Sequence, residues 1–403
     1  MRIAILTSGI RPVPAVQGGA VENLIDFYLE YNDLYQIHDI TVYSVWHSNI
    51  NRHSALRSKC NHYKFVKNNS LVSKILKSYF KHNYPNDYYH YSVEAFFEQA
   101  FFFLKRKAYD VIIIENRPGF AIKLKKKTSI PLICHLHNDF LNTSSANFQE
   151  IFDSYNYIIS VSEYITQRVR TINEQNSKCA TVYNAIDIGT FHKAIPINRG
   201  VIGLNSNQFV VSYSGRLTEE KGILQLIKAV KTIIKNIPEI QLLIIGASTY
   251  GKDVTHIPFI ENLKKESEAI KEHVIFTGYI DYKEIPSYLK AADIAVVPSM
   301  WEEPFGLTVV EAMAASLPLI TTRSGGIPEI CEGVATIVDR ESIVDNLAAA
   351  ILDLYQHPEK RVAMSKASLE RSTLFDKETY AKNFFKAIED GMAHKTSNGE
   401  PCM

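Results

Sequence analysis

Cysteine is scarce and unpatterned in this chain: Cys60, Cys134, Cys179, Cys331 and Cys402 are scattered, odd in number and without CxxC spacing. That excludes a disulfide framework and a cysteine-built zinc site, and makes the reducing cytoplasm the expected compartment. No apolar run approaches the length of a membrane span, and MRIAILTSGIRPVP reads as a first strand rather than a secretory leader. Ligand spacing of the HExxH kind is missing too, so neither a metal nor another cofactor is expected. No GxGxxG follows a strand with an acidic residue about twenty positions later, which counts against nicotinamide chemistry. The net charge is only +1, with no global excess of basic residues that would point to nucleic acid.

What is present is a soluble composition, 46% hydrophobic and 22% charged, on 403 residues, which is long for one core and predicts two domains. The small net charge conceals an uneven distribution. Between Asn51 and Lys127 there are sixteen Lys and Arg against five Asp and Glu, so the remainder is acidic. Within this window LVSKILKSYFKHNYPNDYYHY (71–91) interleaves lysines with apolar and aromatic residues, a composition suited to an anionic membrane surface as much as to a solvated helix face. FFEQAFFFLKRK (96–107) holds Phe96, Phe97, Phe101, Phe102 and Phe103, too many to expose, so these are expected in the core.

Strand and helix patterns alternate along both halves. RIAILTS (2–8), DITVYSV (39–45), DVIIIE (110–115), PLICHLH (131–137) and YIISVSE (157–163) read as strands of the first half. FVVSYSG (209–215), QLLIIGA (241–247), VIFTG (274–278), IAVVPS (294–299) and PLITT (318–322) read as those of the second, with helical runs between them. Two successive βαβ series predict an α/β protein of two doubly wound, Rossmann-like parallel-sheet domains facing across a cleft. The stretch from Asn184 to Asn207 holds three glycines and no sustained period. The expected organisation is therefore a first domain at 1–190, a linker at 191–207, a second domain at 208–375, a terminal helix at 376–394 returning to the first domain, and a frayed tail at 395–403.

The densest chemistry lies in EEPFGLTVVEAMAASLPLITTRSGGIPE. Glu303 sits on the loop leaving a strand and Glu311 inside the following helix, while Phe305, Gly306 and Leu307 are placed to offer free backbone N–H groups to an anion at that helix's start. Arg216 and Lys221 flank a second strand-to-helix turn, where a guanidinium fork and an ammonium can converge on a diphosphate. Both loops leave the carboxyl ends of parallel strands, where open α/β sheets bind ligands. In the first half, Gly18 and Gly19 precede a helix and permit close backbone approach. His135 and His137 fall on one side of their strand, with only His137 at its exposed carboxyl end; a hydrogen-bonding role and a structural one are equally compatible with that position.

SGRLTEEKG (214–222), VIFTGYI (274–280) and SMWEEPFGLTVVEAMAASLPLITTRSGGIPEI (299–330), with VSEYI (161–165) and NAIDIGTF (184–191), resemble the family-4 retaining glycosyltransferases of GT-B architecture. The similarity runs from Met1 to about Met392. It implies a nucleotide-sugar donor held in the second domain and a glycan or lipid-linked acceptor in the first. Glu311 matches the residue that holds the ribose hydroxyls, and Glu303 the one facing the hydroxyls of the sugar. Gly215, Arg216 and Lys221 match the diphosphate turn, with Phe305, Gly306 and Leu307 assisting, and Gly278 matches the backbone contact to the base. His137 resembles the histidine near the transferred sugar, and Gly18 and Gly19 the loop over the donor phosphates. Asn184-Ala185 departs from the usual Asn-Gly. The rivals are a nucleotide-sugar epimerase or phosphorylase of the same architecture and a nonenzymatic partner of a transferase.

Overall fold

The computed structural model describes residues 1–83, 90–175, 177–247 and 258–397. Residues 84–89 of the lysine-aromatic segment and 398–403 of the expected tail lie outside the described residues. Two compact units divide the chain. Residues 1–184 and the helix beginning at Lys377 form unit 1, and Ala185–Asp376 forms unit 2. The chain passes into unit 2 at Ala185, ahead of the linker expected at 191–207, and that stretch is built into unit 2 with a helix at Ile188–His192 and a turn at Arg199–Ile202.

Unit 1 carries β1 (Arg2–Leu6), β2 (Asp39–Val45), β3 (Asn61–Val66), β4 (Val111–Glu115), β5 (Leu132–Leu136), β6 (Tyr157–Ser160) and β7 (Cys179–Thr181). They form one parallel sheet in the order β3-β2-β1-β4-β5-β6-β7. Unit 2 carries β8 (Phe209–Ser214), β9 (Ile240–Ile245), β10 (Val274–Phe276), β11 (Ile294–Val297), β12 (Leu319–Thr322) and β13 (Thr336–Val338), parallel in the order β10-β9-β8-β11-β12-β13. The central strands are mostly apolar and buried on both faces, as a sheet covered by helices on each side requires. Strand order reverses beside β1 in unit 1 and beside β8 in unit 2, and the crevice outside the carboxyl ends at such a reversal is where doubly wound sheets bind ligands.

Three strands, β3, β7 and β13, do not follow from apolar runs. All three lie at sheet edges: β3 alternates with the exposed His62 and Lys64, and β7 and β13 span three residues each. The phenylalanine cluster is only partly core. Phe96, Phe97 and Phe101 are buried on helix Tyr91–Leu104, whereas Phe102 and Phe103 are exposed, and the Arg106 guanidinium stacks over Phe102 at 3.9 Å from the ring centroid. Helix geometry is the reason, since five aromatics at these spacings cannot share one face. Helix Lys377–Ser397 closes unit 1 against helix Ala20–Tyr35: the Phe384 ring stacks on Tyr28 at 4.3 Å, and Tyr380, Ala381 and Ile388 are buried beside it.

Candidate functional site

In unit 2 the turn after β8 and the turn after β11 pack at backbone level. Gly222 holds φ 71°, a left-handed conformation, and a Cβ there would stand 1.9 Å from the Pro298 carbonyl oxygen. The Met300 amide donates to the Glu220 carbonyl at 2.8 Å and stitches the two turns together. This brings Lys221 to Glu303, Nζ to Oε1 at 2.6 Å, with the Ser299 hydroxyl donating to the same oxygen at 2.7 Å. Lys221 also lies over the Trp301 ring at 5.2 Å. The Glu303 side chain is only 8% exposed and that of Lys221 21%, so the pair is desolvated but open on the lysine side.

The backbone of Glu303 is held as tightly as its side chain. Gly326 donates its amide to the Glu303 carbonyl at 2.8 Å, and Gly325, at φ 53°, brings its backbone within a Cβ's width of the same residue. The Gly325 amide donates to Glu302, which also pairs with Arg340. The double glycine thus serves to fix the Glu303 loop, a role the sequence reading left unassigned, as it did Ser299.

Gly306, at φ 112°, caps helix Leu307–Ala314; its carbonyl accepts from the Val309 amide at 3.0 Å, and the amides of Leu307 and Thr308 come before that first bond. Glu311 lies in the second turn, buried. Burial pushes its carboxyl up to about 7, with a hydrogen bond from Tyr282 offsetting part of the rise. Gly278, at φ 71°, has open space where a side chain would begin. Gly215 also has positive φ, and its amide donates to the Ile245 carbonyl at 3.0 Å. Arg216 extends into solvent, its side chain 43% exposed and 3.9 Å from Glu220. Lys221, Glu303 and the Gly306 helix start therefore belong to the turns after β8 and β11, with Arg216 at the rim and Phe305 buried below.

In unit 1 Gly18 and Gly19 precede helix Ala20–Tyr35, both at positive φ. His137 corrects one expectation. It follows β5 at its carboxyl end, yet it is 6% exposed, because its Nε2 is drawn to the Glu115 carboxylate at 2.8 Å. His135 Nδ1 reaches the same oxygen at 3.0 Å, and the Tyr28 hydroxyl donates to the other at 3.0 Å. Burial alone would raise the Glu115 carboxyl, but His135 and the hydrogen bonds from both imidazoles outweigh it and hold it at about 2. Desolvation and the neighbouring His135 lower His137 to about 4 against the pull of Glu115, so it is neutral at pH 7. Among the described residues, Glu115, His135 and His137 are the one group whose ligand atoms converge, within 4.8 Å of one another, closely enough to hold a metal ion. Glu115 escapes a sequence reading because it ends an apolar strand like any boundary residue.

Residues 194–371 match the model described as Glycosyl transferases group 1, and residues 38–190 that of Glycosyltransferase Family 4. Spore coat protein SA of Bacillus subtilis is 28% identical over 96% of this chain and 99% of that protein. The putative glycosyltransferase YtcC of the same organism is 26% identical over 91% of this chain and 86% of its own length. Among solved structures, Anabaena Alr3699/HepE in complex with UDP superposes with a TM-score of 0.72 at 19% identity, covering 97% of this chain and all of that one. Sucrose-phosphate synthase of Thermosynechococcus elongatus gives 0.73 at 20% identity, covering 98% and 99%. These structures share the GT-B fold with this chain.

Proposed function

The chain belongs to the group 1, family-4 glycosyltransferases, and from that premise we propose that it moves a hexose or N-acetylhexosamine from a nucleotide diphosphate sugar to a surface-polysaccharide or lipid-linked glycan, with retention of configuration. The observation that carries this reading is the desolvated Lys221–Glu303 pair beside the helix start at Gly306. Breaking a glycosyl phosphate bond builds negative charge on the departing diphosphate, and fixed cations with helix-end amides favour that transition state. Lys221, aided by Arg216, supplies the charge, and no metal ion or other cofactor is required. Glu303 takes the hydroxyls of the sugar and Glu311 those of the ribose. Gly278 approaches the base. With Glu303 engaged by the donor, retention arises by same-face attack in which the leaving phosphate oxygen helps to deprotonate the acceptor. Unit 1 takes the acceptor, and family resemblance assigns its Gly18-Gly19 loop to the donor phosphates and His137 to the sugar. A uridine donor is supported by the UDP and UDP-glucose complexes of Alr3699/HepE. Thermal unfolding with a panel of nucleotide sugars tests the donor: one UDP-sugar is expected to raise the midpoint by mass action, and a panel without any shift overturns the reading. Product analysis then separates transfer from epimerisation.

The acceptor is proposed to be met at the inner face of the cytoplasmic membrane, where the protein is peripheral. Among the described residues no helix is long and apolar enough to cross a membrane. Helix Leu71–Asn83 instead presents Leu71, Val72, Ile75 and Tyr79 to solvent, at 74%, 57%, 60% and 50% exposure. The same helix carries Lys74, Lys77 and Lys81 and no acidic residue, which favours an anionic bilayer over another protein surface. Co-sedimentation with anionic vesicles is expected at low salt, weakening as salt rises and as Ile75→Glu is introduced. Equal recovery in the supernatant with and without vesicles removes the membrane contact.

A further inference from the structure

Unit 1 contains a polar network around Glu115, a residue to which the proposed donor chemistry assigns no role. The Glu115 carboxylate, 0% exposed at the end of β4, has three donors around it: His137 Nε2, His135 Nδ1 and the Tyr28 hydroxyl. Tyr28 in turn stacks on Phe384 of helix Lys377–Ser397, and His135 lies tilted against the same ring, at 4.3 and 4.9 Å between ring centroids. An ionised carboxylate only accepts, so both imidazole nitrogens that face it carry protons. In neutral His137 the proton on Nε2 leaves Nδ1 as a bare lone pair. That atom is buried and has no hydrogen-bond partner among the described residues. A buried polar atom left without a partner is unfavourable, and is sustained where an incoming group completes it. His135 shares the carboxylate but lies within β5, whereas His137 stands just beyond the carboxyl end of that strand, where doubly wound sheets take ligands.

We propose that Glu115 is a positioning residue that holds His137 in one orientation and in the Nε2–H tautomer, so that Nδ1 accepts a hydrogen bond from a carbohydrate hydroxyl. This rests on the glycosyl transfer proposed above, with Glu115 and the choice of nitrogen added to it. The separations from Glu115 Oε2 are shorter than a tetrahedral zinc centre would set between these residues. Ligand atoms bound tetrahedrally at about 2.0–2.1 Å from a zinc ion stand about 3.3–3.4 Å apart, whereas the separations from Glu115 Oε2 are 2.8 and 3.0 Å, those of direct hydrogen bonds.

The test uses the full chain. Nitrogen-15 spectra of histidine-labelled wild-type protein at neutral pH are expected to give the Nε2–H form for His137; the Nδ1–H form overturns the proposal by itself. Glu115→Gln keeps the shape but introduces a donor, so it should release the tautomer and lower kcat on the order of 10–100-fold, with binding of UDP alone unchanged. Tyr28→Phe removes a bond to the other oxygen only and is expected to lower the unfolding midpoint while sparing kcat, which separates positioning from support of the fold. Wild-type kcat in Glu115→Gln overturns the proposal, as does one equivalent of tightly bound zinc whose removal abolishes transfer. Wild-type protein that binds no nucleotide sugar at all fails the donor reading instead, and the tautomer measurement still decides the role of Glu115.

Discussion

Lys221→Ala is expected to reduce transfer by about 10²–10³-fold, the scale on which removal of one fixed charge or donor at a developing anion is felt. The substitution also has a cost in the fold. It leaves the Glu303 carboxylate, 8% exposed, with the Ser299 hydroxyl at 2.7 Å as its remaining side-chain partner. Breaking a fully buried pair costs about 3–5 kcal/mol, and the partial exposure of Lys221 brings the expected loss to about 1–3 kcal/mol. A fall in activity alone would therefore be ambiguous. Combining Lys221→Ala with Glu303→Gln removes the stranded charge, so the double variant should regain most of the unfolding midpoint and none of the transfer. Turnover near the wild-type level in that double variant would sink the assignment of Lys221 to the donor diphosphate.

The core of both sheets was legible because a strand buried on both faces reads as an unbroken apolar run. IAILT, VIIIE and IAVVPS have no other soluble explanation at such lengths. Edge strands lack that property. NHYKFV is half solvated, and CAT and TIV are too short to establish a period. The same limit applies to the phenylalanines of helix Tyr91–Leu104, where composition argued for burial and the 100° turn per residue left Phe102 and Phe103 outside.

For the site, proximity along the chain was readable and convergence across the sheet was not. Glu303, the Gly306 turn and Glu311 lie within one strand-loop-helix unit, so their relation follows from local geometry. The contact between Lys221 and Glu303 joins residues 82 positions apart. It depends on Gly222 letting the two turns meet at backbone distance, which only the pairing of β8 with β11 makes necessary. Glu115 is the extreme case: a single acidic residue after VIII is indistinguishable from a strand terminus until β5 is laid beside β4 and both histidines turn toward it.

Donor affinity is expected to rise with pH up to about 7 and then level, and Glu311 is the reason. Its carboxyl titrates near 7 in the ligand-free protein because burial disfavours the charge. To hold two ribose hydroxyls it must accept hydrogen bonds, which the ionised form does best, so binding draws the group toward ionisation and releases a proton. Below pH 7 the affinity for a nucleotide sugar, whose diphosphate does not titrate in that range, should fall about tenfold per pH unit until the pKa of the complex is reached. The stability of the free protein moves the other way. Since the folded pKa lies above the unfolded 4.5, the native state holds the extra proton, and the contribution of Glu311 declines as pH rises from about 4.5 to about 7. Glu311→Gln should therefore stabilise the free protein above neutrality, weaken the donor and leave the remaining affinity flat with pH. Calorimetric titrations between pH 5.5 and 8.5 measure both slopes, and a wild-type affinity that does not change across this range removes Glu311 from the ribose.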